Sequence, residues 1–194
     1  IIRNIYKGKH VRDAWDVLKI ARSKKRLRSK KLINELFDEH EYLNGTDPCV
    51  CIGVGLIGTV SFGFIAIDKD TNYGLIKPDG FKTMERMMQL VQRWGIPLFS
   101  IIDTPGACPD ITSEGQGQAW AISSCLSSHV EVTVPTISFV LSEACSGGGI
   151  ALLGADYTMM MDHAYVTVIS PEGCSSILFD SVDHSKELSE TLNL

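Results

Sequence analysis

Hydrophobic positions change their spacing partway along the chain. Trp15, Leu18 and Ile20, then Leu32, Ile33, Leu36, Phe37 and Leu43, follow the three-and-four spacing of amphipathic helices. Asp13 stands where the first helix would be capped. Asn44-Gly45-Thr46-Asp47-Pro48 is a dense turn signal. It divides a helical extension, residues 1–45, from a main body, residues 46–194. In the body the runs CVCIGVGLIG and TVSFGFIAID predict two adjacent strands. Phe81, Met84, Met87, Met88, Val91 and Trp94 return to helical spacing and Gly95 stops them, which predicts a helix over 79–94. Its methionines read as core filler. PLFSIID (97–103) and PTISFVL (135–141) read as short buried strands, with a helix over 114–128 between them. Strands follow at 156–161 and 165–169, and Pro171 opens a last helix. Strands and helices in this alternation predict an α/β fold.

Composition adds limits. The chain has 194 residues, 44% hydrophobic and 21% charged, enough to fold around a sizeable core. No apolar run is long enough to span a membrane, and IIRNIYKGKHVRDAW leads us to expect no secretory signal. A missing first Met leads us to expect a trimmed front. Net charge is −5, unevenly spread. Residues 3–31 carry 12 Lys and Arg against two acids, and the rest carries six against 21. Such an arm suits a polyanion. A solvated face or a phosphorylated cofactor is the main reading, and nucleic acid is not expected as a partner. Cys49, Cys51, Cys108, Cys125, Cys145 and Cys174 form no C-x-x-C pair and no zinc spacing. We expect no metal in this chain and a reduced, cytoplasmic setting.

Gly53-Val54-Gly55-Leu56-Ile57-Gly58 matches G-x-G-x-x-G, but a strand follows where a dinucleotide site needs a helix. These glycines read as a strand–turn–strand feature. There is no P-loop and no G-x-S-x-G elbow. Ser146 stands at a strand-to-helix turn, as a nucleophile or an N-cap, with His129 and His163 as possible bases for the former. A stronger feature is a pair of loops, residues 103–109 (DTPGACP) and 142–149 (SEACSGGG), each after a buried strand. Small residues let a ligand approach the backbone, and the first N–H groups of a helix lack internal partners. Two such bends at one sheet edge would make an oxyanion site from main chain alone. Equally, the glycines could serve turns and close packing. Asp103, Glu114 and Glu143 are acids in or beside the loops, as bases or as caps.

At these residues the chain resembles the α subunit of the carboxyltransferase component of bacterial acetyl-CoA carboxylase. IIDTPGACP (101–109), SEACSGGGIALLGAD (142–156) and VISPEGCSSILF (168–179) carry the likeness, with NYGLIKPDGF, RWGIPLF, WDVLKIARSKKR and INELFDEHEYLNG in the same order. The resemblance implies a crotonase-like spiral of β-β-α units with an N-terminal helical extension. It implies transfer of a carboxyl group from N-carboxybiotin, on a biotin carboxyl carrier protein, to acetyl-CoA, giving malonyl-CoA for fatty acid biosynthesis or a specialised pathway. Its partners would be a zinc-ribbon β subunit and the carrier protein, in an α2β2 assembly. Backbone N–H groups of Gly106, Ala107, Gly147 and Gly148 would face the biotin oxygen, with Thr104, Pro105, Ser146 and Gly149 beside it. Family members continue beyond the position of Leu194, so further C-terminal helices are expected to be missing. The chain departs from the family pattern at Ala66-Ile67-Asp68-Lys69-Asp70, at Asp110, at Gln116, and at Cys145 and Gly149. These departures point to a divergent paralogue, with acetyl-CoA or another acyl-CoA as substrate. The alternatives are another crotonase-type enzyme, such as a decarboxylase or a Clp-like serine peptidase, or a non-catalytic scaffold subunit.

Overall fold

The computed structural model describes residues 13–192 and 194. Arg3, Lys7, Lys9 and Arg12 of the basic arm lie outside them. The chain begins with helices α1 (Ala14–Arg22) and α2 (Ser29–Leu36). Asp13 caps α1 as its position predicts, its carboxylate accepting the Trp15 N–H at 2.8 Å. Helical spacing does not continue to Leu43. Glu39–Leu43 is instead a strand, β1, antiparallel to β2 (Val50–Ile57). Pairing there satisfies the open backbone edge of β2, which another helical turn could not do.

β2 and β3 (Val60–Ile67) form a hairpin whose turn contains Gly58, at a left-handed φ of 61°. That is the strand–turn–strand role expected of the glycine motif. A short turn and β4 (Leu75–Ile76) lead into α3 (Pro78–Trp94). Gly95, with φ 65°, ends this helix, and Met84, Met87 and Met88 are core residues. Trp94, expected on the apolar face, is exposed. Next come β5 (Leu98–Thr104), β6 (Gly106–Ala107), α4 (Ile111–Gly115) and α5 (Gln118–Val130). The single helix expected over 114–128 is two helices because Gly117, at φ 84°, turns the chain between them. β7 (Thr136–Cys145), α6 (Ser146–Leu153), β8 (Tyr157–Met160), β9 (Tyr165–Thr167), α7 (Pro171–Phe179) and α8 (Ser185–Thr191) complete the fold. Ser170 caps α7, accepting the Gly173 N–H. The polar α8 has no counterpart among the expected elements.

The main sheet runs β1-β2-β3-β5-β7-β8, and β9 pairs with the far end of β7. Its first three strands are antiparallel, while β3, β5, β7 and β8 are parallel. β4 and β6 form a separate two-stranded parallel sheet. Successive residues on a strand point to opposite faces, and the core divides accordingly. Ile65, Ile102 and Val140 face α3, α5 and α6. Phe64, Ile101 and Leu141 face the other way, onto Ile33 and Phe37 of the N-terminal segment. Leu18 and Ala21 of α1 cover Cys145 and Tyr165. The basic N-terminal segment is thus a layer over the second face of the sheet.

Candidate active site

Both glycine bends lie at the C-terminal ends of neighbouring parallel strands, where open α/β sheets commonly hold ligands. The first comes after β5. Thr104 is fully buried, and its hydroxyl donates to the Gly74 carbonyl at 2.7 Å while accepting the Gly106 N–H at 2.9 Å. This corrects two expectations. Thr104 is turned inward rather than toward a ligand, and the Gly106 N–H is already engaged. The Cys108 N–H donates to Ile76 O on β4 at 2.8 Å. Backbone N–H groups alternate in direction along a strand, so the Ala107 N–H points away from β4.

The second bend is tighter than expected. β7 runs through Cys145, because β9 pairs with Glu143–Cys145, so residues 142–145 are strand rather than loop. One residue, Ser146, makes the turn into α6, with φ 52°. Ser146 is therefore not an N-cap. Cys145 holds that position and offers no side-chain cap. The first N–H groups of α6, including those of Gly147 and Gly148, have no intrahelical acceptor. Gly149 is buried, and a methyl there would sit 2.4 Å from the Ala144 carbonyl carbon. It packs the helix onto β7, which corrects its expected place beside a ligand.

The bends touch. A methyl on Gly148 would lie 2.9 Å from the Gly106 carbonyl carbon, and one on Gly106 would lie 2.9 Å from Ser146 Cβ. Ala107, Gly147, Gly148, Ser146 and Pro105 are thereby gathered at one edge. Gln118, which is not among the expected site residues, steadies this region by donating to Ile76 O at 2.8 Å.

The acids have other duties. Asp103 is fully buried and bound by Arg26 at 2.7 Å, with Lys69 at 3.9 Å and Arg28 at 4.0 Å. Burial raises its pKa, against the pull of these cations. Glu143 is held by Arg22 at 2.7 Å, Lys69 and Tyr165. Arg22 also binds Glu172 at 2.6 Å. Burial draws the Lys69 ammonium down to about 8, against the pull of Asp103 and with the repulsion of Arg26 and Arg22. Asp103 and Glu143 are therefore neither caps nor free bases, and Glu114 is exposed on α4. The sequence did carry a signal for this cluster, since acids inside otherwise apolar strands need cationic partners. Asp110, a departure from the family pattern, caps α4 by accepting the Ser113 N–H at 2.6 Å.

Part of the described basic arm pairs with the body, with Lys30 on Asp68 at 2.6 Å and Arg28 by Asp70 at 3.5 Å, while Lys19, Lys24, Lys25 and Lys31 are exposed. Neither histidine serves Ser146. His129 Nδ1 lies 3.1 Å from Ala151 O, further along α6, and His163 pairs with Asp162. Among the described residues no helix is long and apolar enough to cross a membrane.

Residues 3–194 match the family model described as acetyl co-enzyme A carboxylase carboxyltransferase-like. The chain is 38% identical over 193 residues to the acetyl-coenzyme A carboxylase carboxyl transferase subunit alpha of Paraburkholderia phymatum, covering 93% of this chain and 60% of that protein. The alpha subunit of Clostridium perfringens (strain ATCC 13124) is 35% identical, over 94% of this chain and 72% of its own length. A Saccharopolyspora erythraea protein named for subunits beta/alpha is 33% identical, and the chain covers 94% of itself and 34% of that relative. Among solved structures, transcarboxylase 12S superposes with a TM-score of 0.79 at 22% identity, over 93% of this chain and 37% of that one. The beta subunit of P. aeruginosa geranyl-CoA carboxylase superposes with a TM-score of 0.76 at 18% identity, over 94% and 38%. These superpositions bear out the crotonase-like architecture.

Proposed function

Because the chain belongs to the acetyl-coenzyme A carboxylase carboxyltransferase-like family, we propose that it acts as a biotin-dependent carboxyltransferase of the α type. It spans only about a third to three-fifths of several of its relatives, so the activity of the whole protein is inferred. The reaction moves a carboxyl group from N-carboxybiotin on a carrier protein to acetyl-CoA, or another acyl-CoA, yielding malonyl-CoA or its analogue. Carboxybiotin, when bound, supplies an activated carboxyl group whose departure leaves negative charge on the ureido oxygen.

The residues of this chain answer that charge with main-chain dipoles. The N–H groups of Ala107, Gly147 and Gly148 hold the oxygen. Gly106 contributes shape rather than a donor, since its N–H is held by Thr104. Pro105 and Ser146 flank the position. Each donor is worth roughly 3 kcal/mol of barrier in comparable sites. A zinc-ribbon β subunit completes the site and holds the acyl-CoA thioester, and the two assemble as α2β2. The relative named for both subunits in one chain supports that pairing. Six free thiols suit a reducing cytoplasm.

The observation that carries this reading is the contact between the two bends, with uncapped N–H groups at their edge. The test is to assemble the chain with its β subunit, add carboxybiotin and acetyl-CoA, and follow carboxylated thioester by mass spectrometry. Malonyl-CoA is the expected product. A stable complex giving no carboxylated product with acetyl-, propionyl- or longer acyl-CoA would overturn the reading.

A further inference from the structure

The charge cluster beneath the bends has a place that gluing alone does not explain. Asp103 and Glu143 stand three residues before Gly106 and Ser146, at the root of each bend. The ladder between their strands is broken there. Ile102 pairs with Val140, but Thr104 pairs with Ala144, so β7 carries extra chain opposite Asp103. Such a bulge leaves residues unpaired and bends its strand. Backbone pairing therefore does not by itself fix how far apart the two bends sit.

Side chains of the N-terminal segment span that gap. Arg26 holds Asp103 and Arg22 holds Glu143, each at 2.7 Å. Lys69 reaches both acids. The Ser142 hydroxyl, inside the bulge, donates to Ala21 O at 2.5 Å, so α1 ends on the same spot. Side-chain exposure is 4% for Arg26, 2% for Glu143 and nil for Asp103. Buried charges of this kind bring a desolvation penalty and are weak sources of stability, so a specific geometry is the better reason to keep them. Lys30 and Asp68 give a contrast: they join the same segment to the body, but Lys30 is 55% exposed and its acid lies just after β3.

We propose that Arg22, Arg26 and Lys69 are positioning residues, which fix the separation of the two bends through Asp103 and Glu143 so that the N–H groups of Ala107, Gly147 and Gly148 converge. This inference rests on the carboxyl-transfer reading. The N-terminal segment is then part of the active-site frame, and its Arg22 and Arg26 have an internal role.

The test uses the complete complex with malonyl-CoA and biocytin, the reaction run in reverse, beside amide hydrogen exchange of the segments 98–110 and 140–153. Arg26→Gln should lower kcat about 30-fold with KM for malonyl-CoA within threefold, and exchange should quicken at both bends. Arg26→Lys should recover at least a third of kcat. The double variant Arg26→Gln/Asp103→Asn removes both charges and protects the fold, yet should stay at low kcat. Lys30→Ala should leave kcat and bend exchange as in wild type. Wild-type kcat and unchanged bend exchange in a folded Arg26→Gln complex would overturn the positioning role, as would full recovery in the double variant. An inactive wild-type complex would instead sink the carboxyl-transfer reading, and bend exchange in Arg26→Gln against Lys30→Ala would still decide the positioning role.

Discussion

At the end of β5 the chain turns with a side chain's help, and at the end of β7 it turns without one. Thr104 ties the first bend by taking the Gly106 N–H and reaching Gly74. β4 then pairs with β6 just beyond it. The second bend rests on Ser146 alone, held left-handed, and the helix behind it starts uncapped. One bend is closed by internal bonds and gives a single outward amide. The other is left open and gives a helix terminus. Rigidity and open helix N–H groups thus come from different strands, and the proposed site draws on both in contact.

Separating them should have the largest effect. In Gly148→Val the new Cβ would sit 2.9 Å from the Gly106 carbonyl carbon, and backbone cannot yield as a flexible side chain does. Pushing the bends apart withdraws more than one donor, so turnover should fall on the order of 10,000-fold, about what two donors at roughly 3 kcal/mol each are worth. Overpacking should also lower stability by about 1–3 kcal/mol. Product formation and thermal unfolding of the purified complex measure both. Turnover within tenfold of wild type would mean that contact between the bends is incidental.

The charges under the bends offer a gentler lever. Lys69 is faced by Asp103, Glu143, Arg22, Arg26 and Cys145. Burial lowers its pKa from 10.5 to about 8, so the folded protein gives up this proton before the unfolded chain does. Between those values the unfolded chain binds more protons, and this group's contribution to stability rises with pH. Below about 8 the charged Lys69 burdens the fold. Activity should run the other way, since neutral Lys69 no longer draws the two acids together. We expect turnover to drop about tenfold from pH 7 to 9 while the unfolding midpoint does not fall with it, and Lys69→Arg to move the alkaline limb upward. An unmoved limb in Lys69→Arg would assign it to another group.

Thr104→Val should chiefly affect stability. It strands the buried Gly106 N–H, at a cost of about 1–3 kcal/mol, while Ala107, Gly147 and Gly148 keep their places. Denaturant unfolding and turnover together check it: a clear stability loss with turnover within tenfold.

Much of this contrast is legible in the residues taken in order. TPGA and SGGG announce bends because small residues stand where apolar strands end. The strands themselves are legible because β5 is buried along its whole length and Leu98, Phe99, Ile101 and Ile102 make it mostly apolar. Two boundaries are not. β1 forms because β2 offers it a partner, and β7 extends to Cys145 because β9 does the same. Such pairing depends on distant chain. The acids of the ion cluster are legible inside apolar strands, but which cations meet them is hidden for the same reason. Arg26 meets Asp103 from 77 positions away, and Arg22 meets Glu143 and Glu172 from 121 and 150. The basic arm therefore looks outward-facing in sequence, whereas Arg22, Arg26 and Arg28 turn toward the body and Lys19, Lys24, Lys25, Lys30 and Lys31 stay exposed.

Ser146 supplies the smallest and sharpest test. Its left-handed φ of 52° is strained for a residue with a Cβ, and glycine would adopt it freely. Its Cβ lies where a side chain on Gly106 would collide, so the methylene, together with Gly106's own φ of 133°, accounts for the glycine opposite. The hydroxyl has no such duty, and His129 and His163 are both engaged elsewhere. Ser146→Ala keeps the methylene and removes the oxygen, so turnover should fall less than tenfold. Ser146→Gly should relieve the strain and unfold at the same temperature or slightly higher. A 1,000-fold loss in Ser146→Ala, with a covalent adduct on wild-type Ser146 in the mass spectrum, would move the chemistry from the main chain to this side chain. It would also make the open end of β7 a nucleophile's seat rather than an anion's.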